Sequence, residues 1–435
     1  MNWQVICRVE SNDRFMVAVE PHLQIEFDES SGSSQIGNNV LQTIREKGLE
    51  LHDTPVDLLH LAMCVYAADL RIERRFSTDG WTRKIAVHLP VVERSLWENA
   101  KPVAEKMLSF LTGDQWTLQF RQRGATQRSE RQKSTEIIPH AVTLFSGGLD
   151  SFVGAINLLE ESYAHIALVG QYGKGSTNLS QVNSHKVLQN HYSARTTRFG
   201  FYVQPAKPGE RSAENTMRSR SILFLALGTL VASACGDVPL FVPENGLISL
   251  NVPLTYSRMG SLSTRTTHPY FAMLYGEMLR ALGVNVPVRL PYKYLTKGEM
   301  LKKTKNQKVL QSGLPLTLSC ARPDAGRYQK RPHGTHCGYC VPCIIRLASM
   351  KAAGFNLEGA AHFDVRSRQI KPTTARGSDR RAFEMAIERV NNLSVFKLTS
   401  EVLQSGPLPP EYVHEYAAVY QRGIDEVAQF LQSNS

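Results

Sequence analysis

The sequence lacks the features that mark secreted, membrane-spanning and disordered proteins. Its first residues show neither a basic segment nor a long apolar stretch, so no secretory signal is predicted. The longest apolar run, residues 222–235, is too short to span a bilayer and contains Gly228, Thr229 and Ser233. Hydrophobic residues make up 42% and charged residues 20% of the chain, which is typical of a globular protein. We therefore expect a cytoplasmic protein with no membrane partner.

Acidic residues are in the minority, with 39 Asp and Glu against 50 Lys and Arg, giving a net charge of +11. This balance suits an anionic partner such as a nucleotide, RNA or an acidic protein surface, without choosing among them. A solvated basic surface would give the same charge. A nucleic-acid partner is thus neither required nor excluded.

Cysteine is scarce, with seven in 435 residues. Cys7, Cys64 and Cys235 are isolated among apolar residues, where we expect buried, unreactive thiols. The other four fall between positions 320 and 343, and in a cytosolic protein such a cluster favours a metal site over disulfides.

The length and the pattern of the chain predict several domains. Residues 1–120 are interpreted as an α+β domain with a possible docking role, in which the alternation at 85–89 and 116–120 indicates strands. Residues 121–135 are predicted to form a basic linker and residues 136–348 an α/β domain. Residues 349–435 are predicted to form a helical extension. In the α/β domain, apolar strands alternate with helical segments, which indicates a parallel sheet covered on both faces. The predicted strands are 142–145, 166–171, 199–204, 240–242 and 286–290.

The first strand of the α/β domain is followed by the turn Phe145-Ser146-Gly147-Gly148-Leu149-Asp150-Ser151. Glycines between a strand and a helix allow bare backbone N–H groups to face a phosphate at a helix N-terminus. The turn lacks the Gly-Lys-Ser/Thr ending of the P-loop, which disfavours a kinase or a motor ATPase. The groups predicted to hold a phosphate are the N–H groups of Gly147 and Gly148 and the hydroxyls of Ser146 and Ser151. Asp150 is expected to position Mg²⁺ or the loop itself.

The cysteine cluster has the spacing of a metal site. Cys337, Cys340 and Cys343 follow a C-x2-C-x2-C pattern, and the distant Cys320 can complete a tetrahedron. Four thiolates form a closed structural zinc site. An iron–sulfur cluster is the other possibility for such a set of ligands.

Together, the loop and the cysteines resemble the motifs of the 7-cyano-7-deazaguanine synthases, the QueC family. That family joins a PP-loop, as at residues 146–151, to C-G-x-C-x-x-C-x-x-R, as at 337–346, after a Leu-x-Lys-x-Glu segment, as at 295–299. The resemblance covers residues 137–348. It implies a PP-loop, adenine nucleotide alpha hydrolase-like fold and an ATP pyrophosphatase that adenylates 7-carboxy-7-deazaguanine. It also implies ATP, Mg²⁺ and Zn²⁺ as cofactors.

The chain also departs from the family's pattern. After the second strand it reads Tyr172-Gly173-Lys174-Gly175 and lacks the family's histidine, and a different run at 243–269 stands where the family has Tyr-Pro-Asp-Cys-Arg. Extensions are present at both ends. This combination resembles the QueC-like branch found in bacterial anti-phage operons, including the Qat defence system. That resemblance suggests a ligase that passes the acyl group to an amine on a partner protein from the same operon.

Five residues are candidates for binding the substrate. Glu244 and Asn245 follow a predicted strand and are expected either to read the base edge or to cap the next segment. Arginines pair bidentately with carboxylates and phosphates, although surface arginines are common. The candidates are Tyr172, Glu244, Asn245, Arg258 and Arg265.

Three other functions remain open at this point. The chain can be a 7-cyano-7-deazaguanine synthase proper that uses ammonia, or a PP-loop tRNA-modifying enzyme. It can also be a scaffold that retains a nucleotide-binding fold without catalysis.

Overall fold

The computed structural model describes residues 1–10, 12–27, 36–125, 137–161, 163–173, 177–205, 214, 216–255, 265–325, 334–367, 371 and 373–433. Within these ranges, no helix is long and apolar enough to cross a membrane.

The N-terminal part of the chain is built around a four-stranded sheet. Its elements are β1 (Asn2–Arg8), β2 (His22–Glu26), β3 (Ile36–Asn38), α1 (Val40–Glu46), α2 (Asp53–Arg71), β4 (Lys84–Val91), α3 (Arg94–Thr112) and β5 (Gln115–Gln122). The order of the sheet is β2-β1-β4-β5, and each of these neighbouring pairs is parallel. The predicted alternation in β4 and β5 buries Ile85, Val87, Trp116 and Leu118. The parallel pairing itself was not predicted.

The prediction of isolated thiols is wrong for two of the three cysteines. Cys7 in β1 and Cys64 in α2 form a disulfide across the core of the N-terminal unit. The two cysteines are 57 residues apart in the sequence, and only the packing of α2 on the sheet brings them together. The pairing was therefore not predicted from the sequence. Cys235 is a buried free thiol as expected, and burial raises its pKa to about 12.

The middle of the chain forms the predicted parallel sheet. Its elements are β6 (Ala141–Leu144), α4 (Leu149–Glu161), β7 (Ile166–Tyr172), α5 (Thr177–Tyr192), β8 (Thr196–Pro205), α6 (Arg220–Ala234), β9 (Leu240–Phe241), α7 (Gly246–Leu250), α8 (Pro269–Ala281), β10 (Val288–Arg289), α9 (Lys297–Lys302) and α10 (Gln307–Gly313). The sheet order is β10-β9-β6-β7-β8-β3. All pairs are parallel except the last, in which β3 of the N-terminal unit pairs antiparallel with β8.

The two units share a hydrophobic core. Buried residues of α2 and α3 belong to the same apolar cluster as buried residues of α6 and α8. The N-terminal unit therefore packs directly on the sheet that follows it.

The C-terminal part is helical, as predicted. It comprises α11 (Val341–Ala352), α12 (Ser378–Asn391), α13 (Val395–Leu403) and α14 (Val413–Gln432). The apolar stripe of α14, including Tyr416, Tyr420, Ile424 and Val427, is buried in a cluster that also contains three of the clustered cysteines. The extension thus packs on its own chain, around the cysteine site.

Candidate functional site

The glycine-rich loop lies at the point where the order of the sheet reverses. The strands β7 and β8 continue from β6 to one side, whereas β9 pairs on the other side of β6. The segments after β6 and β9 therefore flank one crevice at the carboxyl ends of the strands, which is where open α/β sheets bind ligands.

The loop holds its shape through local hydrogen bonds. The Gly148 N–H donates to Ser146 Oγ over 3.3 Å, and Ser151 Oγ donates to the Gly148 carbonyl over 2.8 Å. Gly147 has a φ of +79°, and a Cβ there would lie 2.3 Å from Ser180 Oγ and 2.9 Å from the Gln181 backbone nitrogen. Glycine is required at this position by both conformation and space.

The remaining loop residues join strand to helix. Phe145 is buried and donates its N–H to the Val169 carbonyl in β7. Leu149 begins α4, and its N–H donates to Ser319 Oγ over 3.2 Å. The exposed Ser146 therefore sits at the N-terminus of a buried helix, in the orientation suited to an anion.

Asp150 is the centre of a buried charge cluster. Its Oδ1 lies 3.0 Å from Lys297 Nζ, and its Oδ2 accepts from Asn245 Nδ2 over 2.6 Å. Burial opposes ionisation of Asp150, but the Lys297 charge and the hydrogen bonds from Glu244 and Asn245 outweigh it and lower the pKa. Asp150 is thus an ionised carboxylate fixed by a cation.

Glu244 has the opposite character. Burial, followed by the charge of Asp150, raises the pKa of Glu244 well above its usual value. Its protonated carboxyl hydrogen-bonds to Asp150. Asn245 accepts a hydrogen bond from the Ile248 N–H over 3.1 Å and so caps α7. Of the two roles expected for Asn245, capping is the one that these contacts show. Glu244 and Asn245 both contact Asp150 from the segment that follows β9.

Two of the described candidate substrate residues are not part of this cluster. Tyr172 ends β7 and contacts Tyr202, with ring centroids 5.9 Å apart. Arg265 donates to the Phe110 carbonyl over 2.8 Å and lies over the Phe110 ring, so it is engaged by α3 of the N-terminal unit. Arg258 lies outside the described residues.

Sequence analysis missed two residues of the site. Lys297, although part of the quoted Leu-x-Lys-x-Glu segment, received no role, and the Thr296–Glu299 capping box at the start of α9 fixes it beside Asp150. Ser319 contacts the loop from 170 residues away, and no local pattern marks it. A second cation lies near the loop. Arg220 begins α6, lines the cavity described below and donates to Gln171 Oε1 over 2.8 Å.

The four clustered cysteines meet as predicted. The Sγ atoms of Cys320, Cys337, Cys340 and Cys343 all lie within 4.8 Å of one another. The Cys320–Cys340 and Cys337–Cys343 pairs are each 3.9 Å apart. Thiolates at Zn–S distances of about 2.3 Å form a tetrahedron with edges of about 3.8 Å, so the donor set fits a zinc ion.

The cysteine site is tied to the loop by short contacts. Ser319, next to Cys320, donates its N–H to His336 Nε2 over 3.1 Å, and burial, then the charge of Arg346, lowers the pKa of His336 to about 3. Arg346 is buried and donates to Thr317 Oγ1 and to the Leu314 carbonyl. The neighbouring Leu318 donates its N–H to the Gly147 carbonyl over 2.8 Å. The cysteine site and the glycine-rich loop are therefore joined by direct hydrogen bonds.

One cavity of about 440 Å³ brings these parts together. It is lined by the loop residues Ser146, Gly148, Asp150 and Ser151, and by Cys320 and Pro342 of the cysteine site. The other lining residues are mostly apolar, and the polar ones include Arg220, Glu244, Lys297 and Ser319. A cavity with apolar walls and a few convergent polar groups suits a planar, partly polar ligand.

Comparison with known proteins gives one consistent result. No family model matches the chain. The chain is 26% identical over 236 residues to the 7-cyano-7-deazaguanine synthase of Ectopseudomonas mendocina (strain ymp), covering 49% of this chain and 94% of that protein. It is 27% identical over 239 residues to that of Azotobacter vinelandii, covering 49% and 94%. The synthase of Novosphingobium aromaticivorans is 25% identical over 237 residues, covering 50% and 92%. These distant relatives support a QueC-like family for about half of the chain.

Proposed function

We propose that this chain is a QueC-like enzyme that uses ATP to adenylate a carboxylate and then passes the acyl group to an amine. The observation that carries the proposal is the single cavity bounded by both the Ser146–Gly148 loop and the cysteine site. The acid that the resemblance to the QueC family implies is 7-carboxy-7-deazaguanine. A planar deazapurine suits the mostly apolar walls of the cavity.

In the first step, a carboxylate oxygen of the acid attacks the α-phosphorus of ATP. One P–O bond forms, the bond to pyrophosphate breaks, and the product is an acyl-adenylate. Gly147 and Gly148 N–H groups and the Ser146 and Ser151 hydroxyls are the donors that stabilise the leaving pyrophosphate. Preorganised donors of this kind contribute about 3–4 kcal/mol each to the transition state.

The charged cluster positions this loop. Asp150, held by Lys297 and Asn245, fixes the first turn of α4, and Lys297 Nζ offsets the negative charge that the phosphates bring. Mg²⁺ would accompany the phosphates, and Asp150, which lines the cavity beside the loop, is the carboxylate that could help to hold it. Arg220, on the opposite wall, is available to the acid or to a phosphate.

In the second step, an amine attacks the activated carbonyl. A C–N bond forms, the C–O bond to the phosphate breaks, AMP leaves and the amine gives up one proton. The resemblance to the anti-phage branch suggests that the amine belongs to a partner protein encoded in the same operon. The sequence outside the region shared with the relatives, about half of the chain, provides surface for recognising such an acceptor.

A second candidate is synthesis of 7-cyano-7-deazaguanine with ammonia as the amine. The relatives described above are named for this product. An amide would form first, and the nitrile would require loss of water from that amide. The two candidates share the adenylation step and differ in the acceptor and in this loss of water.

The adenylation step is tested by incubating the full chain with ATP and 7-carboxy-7-deazaguanine and measuring AMP and pyrophosphate. We expect release that is abolished in Ser146→Ala and retained in Ser312→Ala, an exposed serine in α10 that does not line the cavity. Lack of AMP release from the unmodified chain, with either ammonia or partner protein present, would overturn the enzymatic proposal.

The acceptor is tested by intact mass spectrometry of each operon partner and by analysis of the small-molecule products. A partner that gains the mass of the acyl group favours the protein-directed reaction. A nitrile formed only when ammonium is added favours the second candidate.

A further inference from the structure

A groove on the surface of the chain lies next to the cavity. It has a volume of about 540 Å³ and lies between α8, the strand β10 and the start of α14. Ala272, Val288 and Leu290 line both the groove and the cavity. The two spaces are therefore neighbours, separated by the thickness of a few side chains.

The groove is positively charged. The described residues that line it include Arg280, Arg289 and Lys293 and no carboxylate. In the described part of the chain no carboxylate forms an ion pair with these three cations, and Arg280 and Arg289 are exposed. A cationic groove of this kind attracts acidic ligands.

One wall of the groove is an open strand edge. β10 pairs with β9 and with no other described strand. The Pro287 and Arg289 carbonyls accept from Leu240 and Val242 on the β9 side. The main chain of a strand alternates direction, so the N–H and C=O of Val288 face the open side. These groups match the main chain of an extended peptide better than a nucleic-acid backbone, which offers phosphates.

The opposite wall provides apolar and aromatic contacts. Pro409, Tyr412 and Tyr416 line it, and Lys293 Nζ lies 5.4 Å from the centre of the Tyr412 ring. An extended peptide beside β10 would thus contact main-chain groups on one side and aromatic surface on the other, which is how sheet-edge recognition combines affinity with specificity.

We propose that this groove binds an acidic, extended N-terminal segment of a protein acceptor and directs its terminal amine toward the cavity. The inference rests on the proposed acyl transfer for the role of the amine, whereas peptide binding itself is independent of catalysis. Acidic residues of the segment would pair with Arg280 and Arg289, and its main chain would pair with Val288.

Peptide binding is measured by fluorescence anisotropy with the full chain and no ATP. The probe is a short peptide with a free N-terminus, alternating acidic and β-branched residues and a fluorophore at its C-terminus. The same peptide with Lys in place of the acidic residues is the first control. We expect the acidic probe to bind, the basic probe not to bind, and the affinity of the acidic probe to fall with added salt.

Variants locate the site. The double variant Arg280→Glu/Arg289→Glu should bind the acidic probe at least about tenfold more weakly, because two attractive charges become repulsive. The matched control is Arg381→Glu/Lys397→Glu, which reverses two exposed charges of α12 and α13 outside the groove and should leave binding unchanged. Val288→Pro removes the edge N–H, which an edge strand tolerates, and should also weaken binding.

The outcomes separate this inference from the proposed function. Absence of acidic-probe binding, or binding unaffected by the double variant, overturns the groove inference even if AMP release is intact. Binding of single-stranded RNA that is lost in the double variant, with no binding of the acidic peptide, overturns it in favour of a nucleic-acid surface. Groove-dependent peptide binding without AMP release would support the groove and refute the adenylation proposal instead.

Discussion

The Asp69 carboxylate accepts hydrogen bonds from the backbone N–H and the hydroxyl of Ser219, over 3.2 and 2.7 Å, across 150 positions of the sequence. Ser219 is the residue before α6, and the next residue, Arg220, reaches the cavity. The same carboxylate pairs with Arg83 at 2.5 Å. A side chain of the N-terminal unit therefore fixes the helix that supplies a cation to the candidate site.

We expect Asp69→Asn to lower the free energy of unfolding by about 3–5 kcal/mol, because the buried Arg83 would lose one of its two carboxylate partners. Urea denaturation measures the change. Glu98→Gln, which breaks an exposed pair with Arg94 in α3, is the control and should cost less than about 0.5 kcal/mol. Equal effects of the two substitutions would contradict the assigned role of Asp69.

Glu244 gives a prediction about pH. Burial and the Asp150 charge raise its pKa, whereas an unfolded glutamate ionises near about 4.3. The folded chain therefore retains a proton that the unfolded chain releases, and this carboxyl lowers the stability progressively as the pH rises above that value. Glu244→Gln keeps a neutral donor to Asp150 and cannot ionise. Relative to the original chain, the variant should therefore become more stable as the pH rises from 4 to 8.

The measurement for Glu244→Gln is urea denaturation of both proteins at the two pH values. Glu358→Gln, at an exposed position, should show no such change with pH. A stability difference for Glu244→Gln that is the same at both values would be inconsistent with a protonated Glu244.

Lys297 is expected to be essential for adenylation. Lys297→Met removes the cation beside Asp150 and leaves two carboxyl groups together in the cavity wall, so AMP release should fall about 10²-fold. Lys305→Met, which removes an exposed cation 3.2 Å from Glu161, is the matched control. Similar AMP release by the two variants would argue against a role for Lys297.

The cysteine site is expected to hold one zinc ion in each chain. Loss of a residue that only hydrogen-bonds to a metal ligand lowers metal affinity about 10–100-fold. Cys340→Ser removes a ligand itself and should therefore lower the affinity further. Elemental analysis after dialysis measures the loss. Cys235→Ser changes a buried thiol outside the cluster and should retain the metal. Iron with visible absorbance would identify the alternative cluster.

The site was predictable from the sequence where its parts are local. The strand, the loop from Ser146 to Ser151 and the start of α4 follow one another, so spacing alone identified them. The same holds for Cys337, Cys340 and Cys343, whose separations are those of a tight turn.

The rest depends on contacts between distant segments. Lys297 contacts Asp150 and Ser319 contacts Leu149, although both lie in distant parts of the sequence. No local sequence pattern predicts these two contacts. Arg265 was proposed for the substrate because of its charge, but its packing on Phe110 is set by the docking of α3 against α8. The Cys7–Cys64 disulfide was missed for the same reason.

The short strand β3 changes one margin of the six-stranded sheet. Residues 36–38 of β3 pair with β8 and so cover the edge of β8. Without β3, this edge would expose unpaired main-chain groups that could pair with another chain. At the far side of the same sheet, β10 has no such cover among the described strands. The edge at the margin of β8 is thereby reduced to the three residues of β3, whereas main-chain groups of β10 remain available at the margin next to the cavity.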